Sequence, residues 1–230
     1  MHWFFDPEFT MASGAITRAE LDHFKSLRIR AQEAVAVTDG NGAVYFCRVT
    51  DPKSGQLTIL SREQHKRNHP EIHLVQALAK GDRDEQAVQA SVELGVSSIT
   101  PWQSELSVVN WKGKEEKGRM RWQEIAISAM KQSQQPFLPK VGTVTSTGNL
   151  KLEGFGFVLD PRATTSITDL PESPAAVTIV VGPEGGIAAA ELEKLISAGF
   201  EPRRLGDSIL RTSTAGPAAI AAILTKLQRW

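Results

Sequence analysis

The chain has 230 residues, of which 41% are hydrophobic and 23% charged, and 26 basic residues are matched by 26 acidic ones. This is ordinary globular usage and excludes a chain too polar to build a core; the zero net charge also excludes the broad positive field of many nucleic-acid binders, so any RNA contact must use local basic patches. The single cysteine, Cys47, excludes an intrachain disulfide and a cysteine metal cluster, in keeping with a reducing compartment.

The start, Met1-His2-Trp3-Phe4-Phe5-Asp6-Pro7, lacks the basic residues and apolar stretch of a signal peptide. No apolar run reaches the roughly 18 residues of a membrane span, so a cytoplasmic location is expected. Length favours a small domain followed by a larger one.

Residues 3–60 read as short strands and turns, with one helix over 18–27 for which Thr17 is the expected N-cap and Glu20 its capping-box partner. Strands at 34–37 and 43–49 flank Asp39-Gly40-Asn41-Gly42, residues that tolerate positive φ, and this predicts a β-hairpin. Cys47, among Tyr45, Phe46 and Val49, reads as a buried strand thiol. A second turn at 51–55 precedes a strand at 56–60, giving a compact β-rich domain over residues 1–70. The polar, basic stretch 62–70 ends in Pro70 and reads as its linker.

From residue 71 the rhythm changes. A strand at 72–77, a helix at 84–94, a strand at 98–102 and a helix at 116–134 are followed by apolar strands at 156–160 and 177–181 and helices at 189–198 and 214–228. Short apolar runs alternating with helices predict an α/β domain with a mostly parallel sheet over residues 71–230.

Two loops carry the chemistry. Gly182-Pro183-Glu184-Gly185-Gly186 follows the strand ending at Val181 and precedes a helix, and ligands of open α/β sheets sit outside the carboxyl ends of strands. The loop lacks the Gly-Lys-Ser/Thr of a phosphate loop and the Gly-x-Gly-x-x-Gly of a dinucleotide site; a tight turn without ligand is the bland alternative. The second loop, Leu205-Gly206-Asp207-Ser208-Ile209-Leu210-Arg211-Thr212-Ser213-Thr214-Ala215-Gly216, leads into a helix rich in small residues. Its hydroxyls and free amides either cap that helix or bind polar ligand groups, and the alanine face suits a tight core or a subunit contact. His2, His23, His65, His69 and His73 lack metal-site spacing, so no metal is expected. Basic clusters occur at Lys25, Arg28 and Arg30, at Arg62, Lys66 and Arg67, and at Lys112, Lys114, Lys117, Arg119 and Arg121 in a loop after Trp111. For each of them a solvated face is the alternative to RNA contact.

The two loops, in this order and about twenty residues apart, resemble those of the ribosomal RNA small-subunit methyltransferase E family of the SPOUT class. Upstream, Gln76-Ala77-Leu78-Ala79-Lys80-Gly81-Asp82, Glu93-Leu94-Gly95-Val96, Ile99-Thr100-Pro101, Ser104-Glu105, Arg121-Trp122 and Gln132-Ser133 have family counterparts in the same order. The resemblance covers essentially the whole chain. It implies a PUA-like RNA-binding domain at 1–70, a SPOUT domain with a trefoil knot at 71–230, a homodimer, and methylation of N3 of one uridine of 16S ribosomal RNA, within the 30S subunit, by S-adenosylmethionine. Leu159, Asp160, Gly182, Pro183, Glu184, Gly185, Gly186, Leu205, Gly206, Ile209, Leu210, Arg211, Thr212, Thr214 and Ala215 would then hold the cofactor. Arg211 would stabilise the developing anion, with a structural salt bridge or carbonyl clamp as its alternative, and Glu184 would orient a group or act as base. Lys25, Arg28 and Arg30 would contact RNA, since Leu27-Arg28-Ile29-Arg30 matches the family's leucine-arginine motif.

The chain departs from the family pattern at Ser213, which stands where many members have glutamate, at Lys131-Gln132-Ser133-Gln134-Gln135 in place of Glu-Gln-x-x-Arg, and in lacking early arginines. Ser213 keeps open a non-catalytic RNA-binding ribosome-assembly factor with a decayed cofactor pocket. A nucleotide-dependent oxidoreductase is disfavoured by the absent fingerprint. Gly185→Val is expected to fill the donor's space without unfolding the protein.

Overall fold

A computed structural model describes residues 1–171 and 174–229. The chain divides into two compact units, Met1–Arg67 with Met130–Leu138, and Asn68–Ala129 with Pro139–Trp230.

The first unit is a four-stranded sheet with one helix of its own and the last residues of a second. Its elements are β1 (His2–Phe5), α1 (Arg18–Ser26), β2 (Ala34–Thr38), β3 (Ala43–Asp51) and β4 (Gln56–Gln64), in sheet order β1-β2-β3-β4. β1 pairs parallel with β2, and the remaining pairs are antiparallel. Phe4, Phe24, Val35, Val37, Cys47, Val49 and Leu57 form its core. The expected hairpin joins β2 to β3. The Asp39 carboxylate accepts from the backbone N–H of Asn41 and Ala43, at 2.7 and 3.0 Å. Gly42, at φ 99°, adopts a conformation that a side chain would strain, and its N–H donates to the carbonyl of Pro136 at 2.9 Å. That carbonyl belongs to the returning segment Met130–Leu138, as does Lys131, whose Nζ lies 2.9 Å from the Glu20 carboxylate.

Two expectations for this unit are corrected. Thr17 occupies the N-cap position of α1 but makes no side-chain cap, and Glu20 is no capping-box partner because its carboxylate is taken by Lys131 and His23. The stretch expected as linker starts too early: Arg62, Glu63 and Gln64 extend β4, paired with Tyr45, Val44 and Ala43. Backbone pairing with β3 imposes the strand there although the side chains are polar and exposed.

The second unit holds β5 (Glu71–Ala77), α2 (Arg83–Glu93), β6 (Ser98–Gln103), most of α3 (Glu115–Gln132), β7 (Lys140–Val141), β8 (Thr145–Ser146), β9 (Phe155–Leu159), β10 (Ala176–Val181), α4 (Ala189–Ser197), β11 (Glu201–Arg203) and α5 (Thr212–Lys226). The sheet runs β11-β9-β10-β5-β6-β7, with β8 also on β6. Its pairings are parallel, which is why Val177, Ile179, Val180 and Val181 are all buried on a strand covered on both faces. Of the basic residues expected in a loop after Trp111, only Lys112 and Lys114 lie there. Lys117, Arg119 and Arg121 are helical, on α3, whose first turn carries Glu115 and Glu116 at the end that favours acids.

The order places β9 between β10 and β11. From β10 the chain passes through α4 to the far side of β9, and Arg204 then runs beside the 165–167 segment, its N–H donating to the Thr165 carbonyl at 2.8 Å while the Ile167 N–H donates to the Arg204 carbonyl at 3.1 Å. α5 returns to pack against α2, β10 and β5. The carboxyl ends of β5, β9 and β10 therefore meet the chain leading into α5. Among the described residues no helix is long and apolar enough to cross a membrane, and no group of three or more His, Cys, Asp or Glu could hold a metal.

Candidate active site

β10 ends at Val181 and the glycine loop turns at once: the Gly186 N–H donates to the Pro183 carbonyl at 3.0 Å, with Gly186 at φ 77°. Thr212, the first residue of α5 and buried, donates its Oγ1 proton to the Gly182 carbonyl at 2.7 Å and accepts from the Gln76 side-chain amide at 2.9 Å. Gln76 lies at the end of β5, fully buried, and its amide also donates to the Ala77 carbonyl at 3.1 Å. A buried amide survives in such a strand only if its polar atoms find partners. Here the partners are the Ala77 carbonyl and Thr212, which in turn holds the glycine loop, although the Gln76 Oε1 has none among the described residues.

The loop after β9 is held in the same way. The Asp160 N–H donates to the Arg203 carbonyl at 3.0 Å, and its carboxylate takes the Arg162 guanidinium at 2.9 and 3.0 Å. Burial pushes the Asp160 carboxyl up, but the Arg162 side chain and backbone N–H outweigh it and hold the group below the usual carboxylate range. Glu184 accepts from the Lys80 N–H at 3.1 Å and from Arg83 Nη1 at 2.9 Å. Burial again opposes ionisation, and hydrogen bonds from backbone N–H groups and from Arg83 keep this carboxyl below its ordinary value.

The three loops enclose a cavity of about 560 Å³. Of the residues expected there, Leu159, Asp160, Gly182, Pro183, Glu184, Gly185, Gly186, Leu205, Gly206, Ile209, Leu210, Arg211, Thr212 and Ala215 line it. Thr214 is not among them. It is exposed on the first turn of α5, where Thr212 takes the inward position. Arg211 occupies the N-cap position of α5, and no hydrogen bond or ion pair engages its guanidinium among the described residues.

A side chain at Gly206 would meet nothing within 4 Å, whereas a Cβ at Gly185 would lie 3.2 Å from Leu106. Gly185 also lines the cavity, so the bulk added by Gly185→Val presses on the loop after β6 as well as on the space where the donor is expected. Sequence reasoning missed Arg83 and Arg162, which also line the cavity together with Ser208 of the second loop. For Arg83 the available signal was its place one residue after the quoted motif ending at Asp82. Lys25, Arg28 and Arg30 are exposed together at the end of α1 in the first unit, Lys25 paired with Asp22 at 3.1 Å and Arg28 at φ 55°.

The walls combine apolar side chains, bare backbone and two ion-paired carboxylates. That set suits a ligand with a flat apolar body and polar ends, approached closely by main chain.

Residues 66–224 match the RNA methyltransferase domain model and residues 16–60 the RNA methyltransferase PUA domain model. The chain is 36% identical over 215 residues to the ribosomal RNA small subunit methyltransferase E of Mycobacterium bovis, covering 88% of this chain and 82% of that one. It is 31% identical to the enzyme of the same name from Buchnera aphidicola, covering 88% and 85%. Its fold matches the crystal structure of the ribosomal RNA small subunit methyltransferase E from Neisseria gonorrhoeae bound to S-adenosylmethionine, with a TM-score of 0.87, 32% identity, and 98% and 97% of the two chains covered.

Proposed function

This chain belongs to the ribosomal RNA small subunit methyltransferase E family, and from that membership we propose that it methylates N3 of one uridine of 16S ribosomal RNA, acting in the cytoplasm as a homodimer on the 30S subunit. The broader activity is that of an S-adenosylmethionine-dependent ribosomal RNA methyltransferase with a PUA domain that binds RNA. The observation that carries the reading is the glycine-walled cavity, which the chain's own side chains leave open and which the Gln76–Thr212–Gly182 hydrogen bonds hold in shape.

S-adenosylmethionine, when bound, supplies a methyl group on a cationic sulfur. In our reading the Gly182–Gly186 and Leu205–Ala215 loops bring backbone close to it, while Leu159, Leu205, Ile209 and Leu210 exclude water from the reacting atoms. Uridine N3 must pass its proton to solvent before it can displace the methyl group from sulfur, since the carboxyls of Asp160 and Glu184 in the cavity wall are both held low and are poor bases. Arg211, with a guanidinium free of protein partners among the described residues, stabilises the anion that results. Glu184, held ionised and paired to Arg83, orients that cation and is a poor base, because a depressed carboxyl gives a proton little reason to stay. Thr214 contributes to the start of α5 without touching the cavity, and Ser213, which likewise is outside the lining, leaves its walls intact.

The route from β10 through β11 to α5, crossing beside the 165–167 segment, supports the trefoil knot that the family implies. Lys25, Arg28 and Arg30, exposed together, are the proposed RNA contacts of the PUA domain. The test is mass mapping of methylated nucleotides in 16S RNA from cells with and without this chain, alongside calorimetric titration of the purified protein with S-adenosylmethionine. Loss of one methyluridine together with saturable heat is the expected result. An unchanged methylation map would refute the target, and absence of heat would refute the cofactor site.

A further inference from the structure

Across one turn of backbone from the cofactor cavity lies a second, smaller one of about 240 Å³. The dividing wall is the turn between β5 and α2. Arg83 faces the first cavity, Gly81 and Asp82 line the second, and Glu184 fastens the turn through the Lys80 N–H and the Arg83 guanidinium. Gly81 and Asp82 are successive left-handed residues, at φ 67° and 59°, and a side chain at Gly81 would meet nothing within 4 Å. At Gly81 the turn therefore presents bare main chain to the space, beside the side chain of Asp82. Asp84, which also lines the cavity, accepts from the Ala79 N–H at 3.1 Å and the Glu85 N–H at 2.8 Å.

The facing wall is aromatic. Trp111 meets the buried Trp122 edge to face, with ring centroids 5.1 Å apart and planes at 76°. On α3, Gly118 makes room for the ring of Trp111, since a Cβ there would lie 2.4 Å from it. The loop carrying Trp111 is pinned by its own hydrogen bonds, Gln103 Nε2 to the Val109 carbonyl at 3.0 Å and the Lys114 N–H to the Trp111 carbonyl at 2.6 Å. An indole held this firmly loses little freedom when a flat ring stacks on it, which is how single-stranded RNA bases are gripped. At the rim Arg121 is paired with Glu85 at 2.9 Å and supplies a cation for a phosphate. Among the described residues no hydrogen bond or ion pair engages the Asp82 carboxylate, and a carboxylate can only accept hydrogen bonds.

We propose that this second cavity binds an unstacked base of the substrate RNA, stacked on Trp111 and read by Asp82 through an amino-bearing edge. The intervening turn keeps that base from the methyl donor, so it belongs to a nucleotide flanking the methylated one. The assignment rests on the RNA methyltransferase reading for its ligand class and on the cavity for its place.

The test is binding of dye-labelled single-stranded oligoribonucleotides to the full chain, followed by anisotropy, with calorimetry of S-adenosylmethionine on the same proteins. Trp111→Ala is expected to weaken binding about tenfold, while Trp111→Phe, which keeps a flat ring, stays within about threefold of the parent. Asp82→Asn, on an exposed turn, should erase the preference for adenine- or cytosine-containing strands over uracil-only ones. S-adenosylmethionine affinity should be unchanged in all three. Parent-like binding by Trp111→Ala overturns the proposal, as does equal loss in the alanine and phenylalanine variants or an unaltered base preference in Asp82→Asn. Should the parent take up RNA through Trp111 yet give no heat with S-adenosylmethionine, the methyltransferase reading fails and the base pocket stands.

Discussion

The hydroxyl of Thr212 donates to the carbonyl of Gly182 across 2.7 Å, joining residues thirty apart in sequence, and the same oxygen accepts from Gln76 at 2.9 Å. One side chain thus fixes the end of β5, the glycine loop and the start of α5. Thr212→Val keeps the shape and removes the hydroxyl, leaving the part-buried Gly182 carbonyl without this donor and the Gln76 amide with the Ala77 carbonyl alone. A loss of about 1–3 kcal/mol in stability is expected, with weaker S-adenosylmethionine binding, and Thr212→Ser should recover most of both. Thermal unfolding and calorimetry check this; a valine variant with parent cofactor affinity would show that the latch does not shape the cavity.

Gly206 separates pocket filling from misfolding. Its missing Cβ points into open space in the cavity wall, so Gly206→Val should melt with the parent yet bind S-adenosylmethionine at least about tenfold more weakly, by analogy with the cost of overfilling a packed site. Gly185→Val should differ by lowering the melting temperature as well, because it presses on Leu106.

The carboxyls of Asp160 and Glu184 both titrate below their ordinary values of 3.8 and 4.5. A depressed carboxyl stabilises the fold fully above its ordinary value and loses that contribution as pH falls through the folded value. Under the proposed cofactor site, the loops lining the cavity should therefore keep their affinity for S-adenosylmethionine down to about pH 4.5 and lose it only in stronger acid. Arg83→Gln removes the cation beside Glu184 and should move that acid limb upward. Titrations of cofactor binding across pH measure it, and an unmoved limb would mean Arg83 does not control Glu184.

Lys131 faces Glu20 where both side chains are largely buried, 16% and 11% exposed. Lys131→Met leaves the carboxylate with His23 alone and should cost about 2 kcal/mol, below the range for fully buried pairs. Adding Glu20→Gln should restore part of it, as seen in the melting temperature.

Cys47 is buried in β3, and burial pushes its thiol up to about 12. Alkylation at neutral pH should be at least about a hundredfold slower in the native protein than in denaturant. Fast native labelling would mean that the β2–β3–β4 core opens readily.

What could be read from the sequence was what local chemistry dictates. Val177 to Val181 announced a strand buried on both faces, and Asp39 to Gly42 announced a turn, because each signal lies within a few residues. Bare glycine loops disclosed a place where main chain can approach a ligand. Partners fixed by the tertiary fold stayed hidden. Arg62 to Gln64 form a strand because Tyr45, Val44 and Ala43 lie opposite, and Glu-Pro-Arg at β11 does so because β9 is alongside. Thr212 faces the cavity and Thr214 faces outward because of helical phase, which the string Thr-Ser-Thr does not reveal. Glu20 had a credible local role as a cap and instead serves a lysine 111 residues away.

That returning segment bears on how the protein is made. Lys131, Pro136 and Phe137 supply an ammonium to Glu20, a carbonyl to Gly42 and a ring to Arg67, all groups of the amino-terminal unit. A nascent chain that has emerged only as far as residue 67 thus lacks the pieces that complete its first body, and more than half of the polypeptide must be translated before it can close. A gene fragment cut at that boundary would encode an unfinished fold, whereas grafting residues 130–138 back onto it would supply the missing contacts.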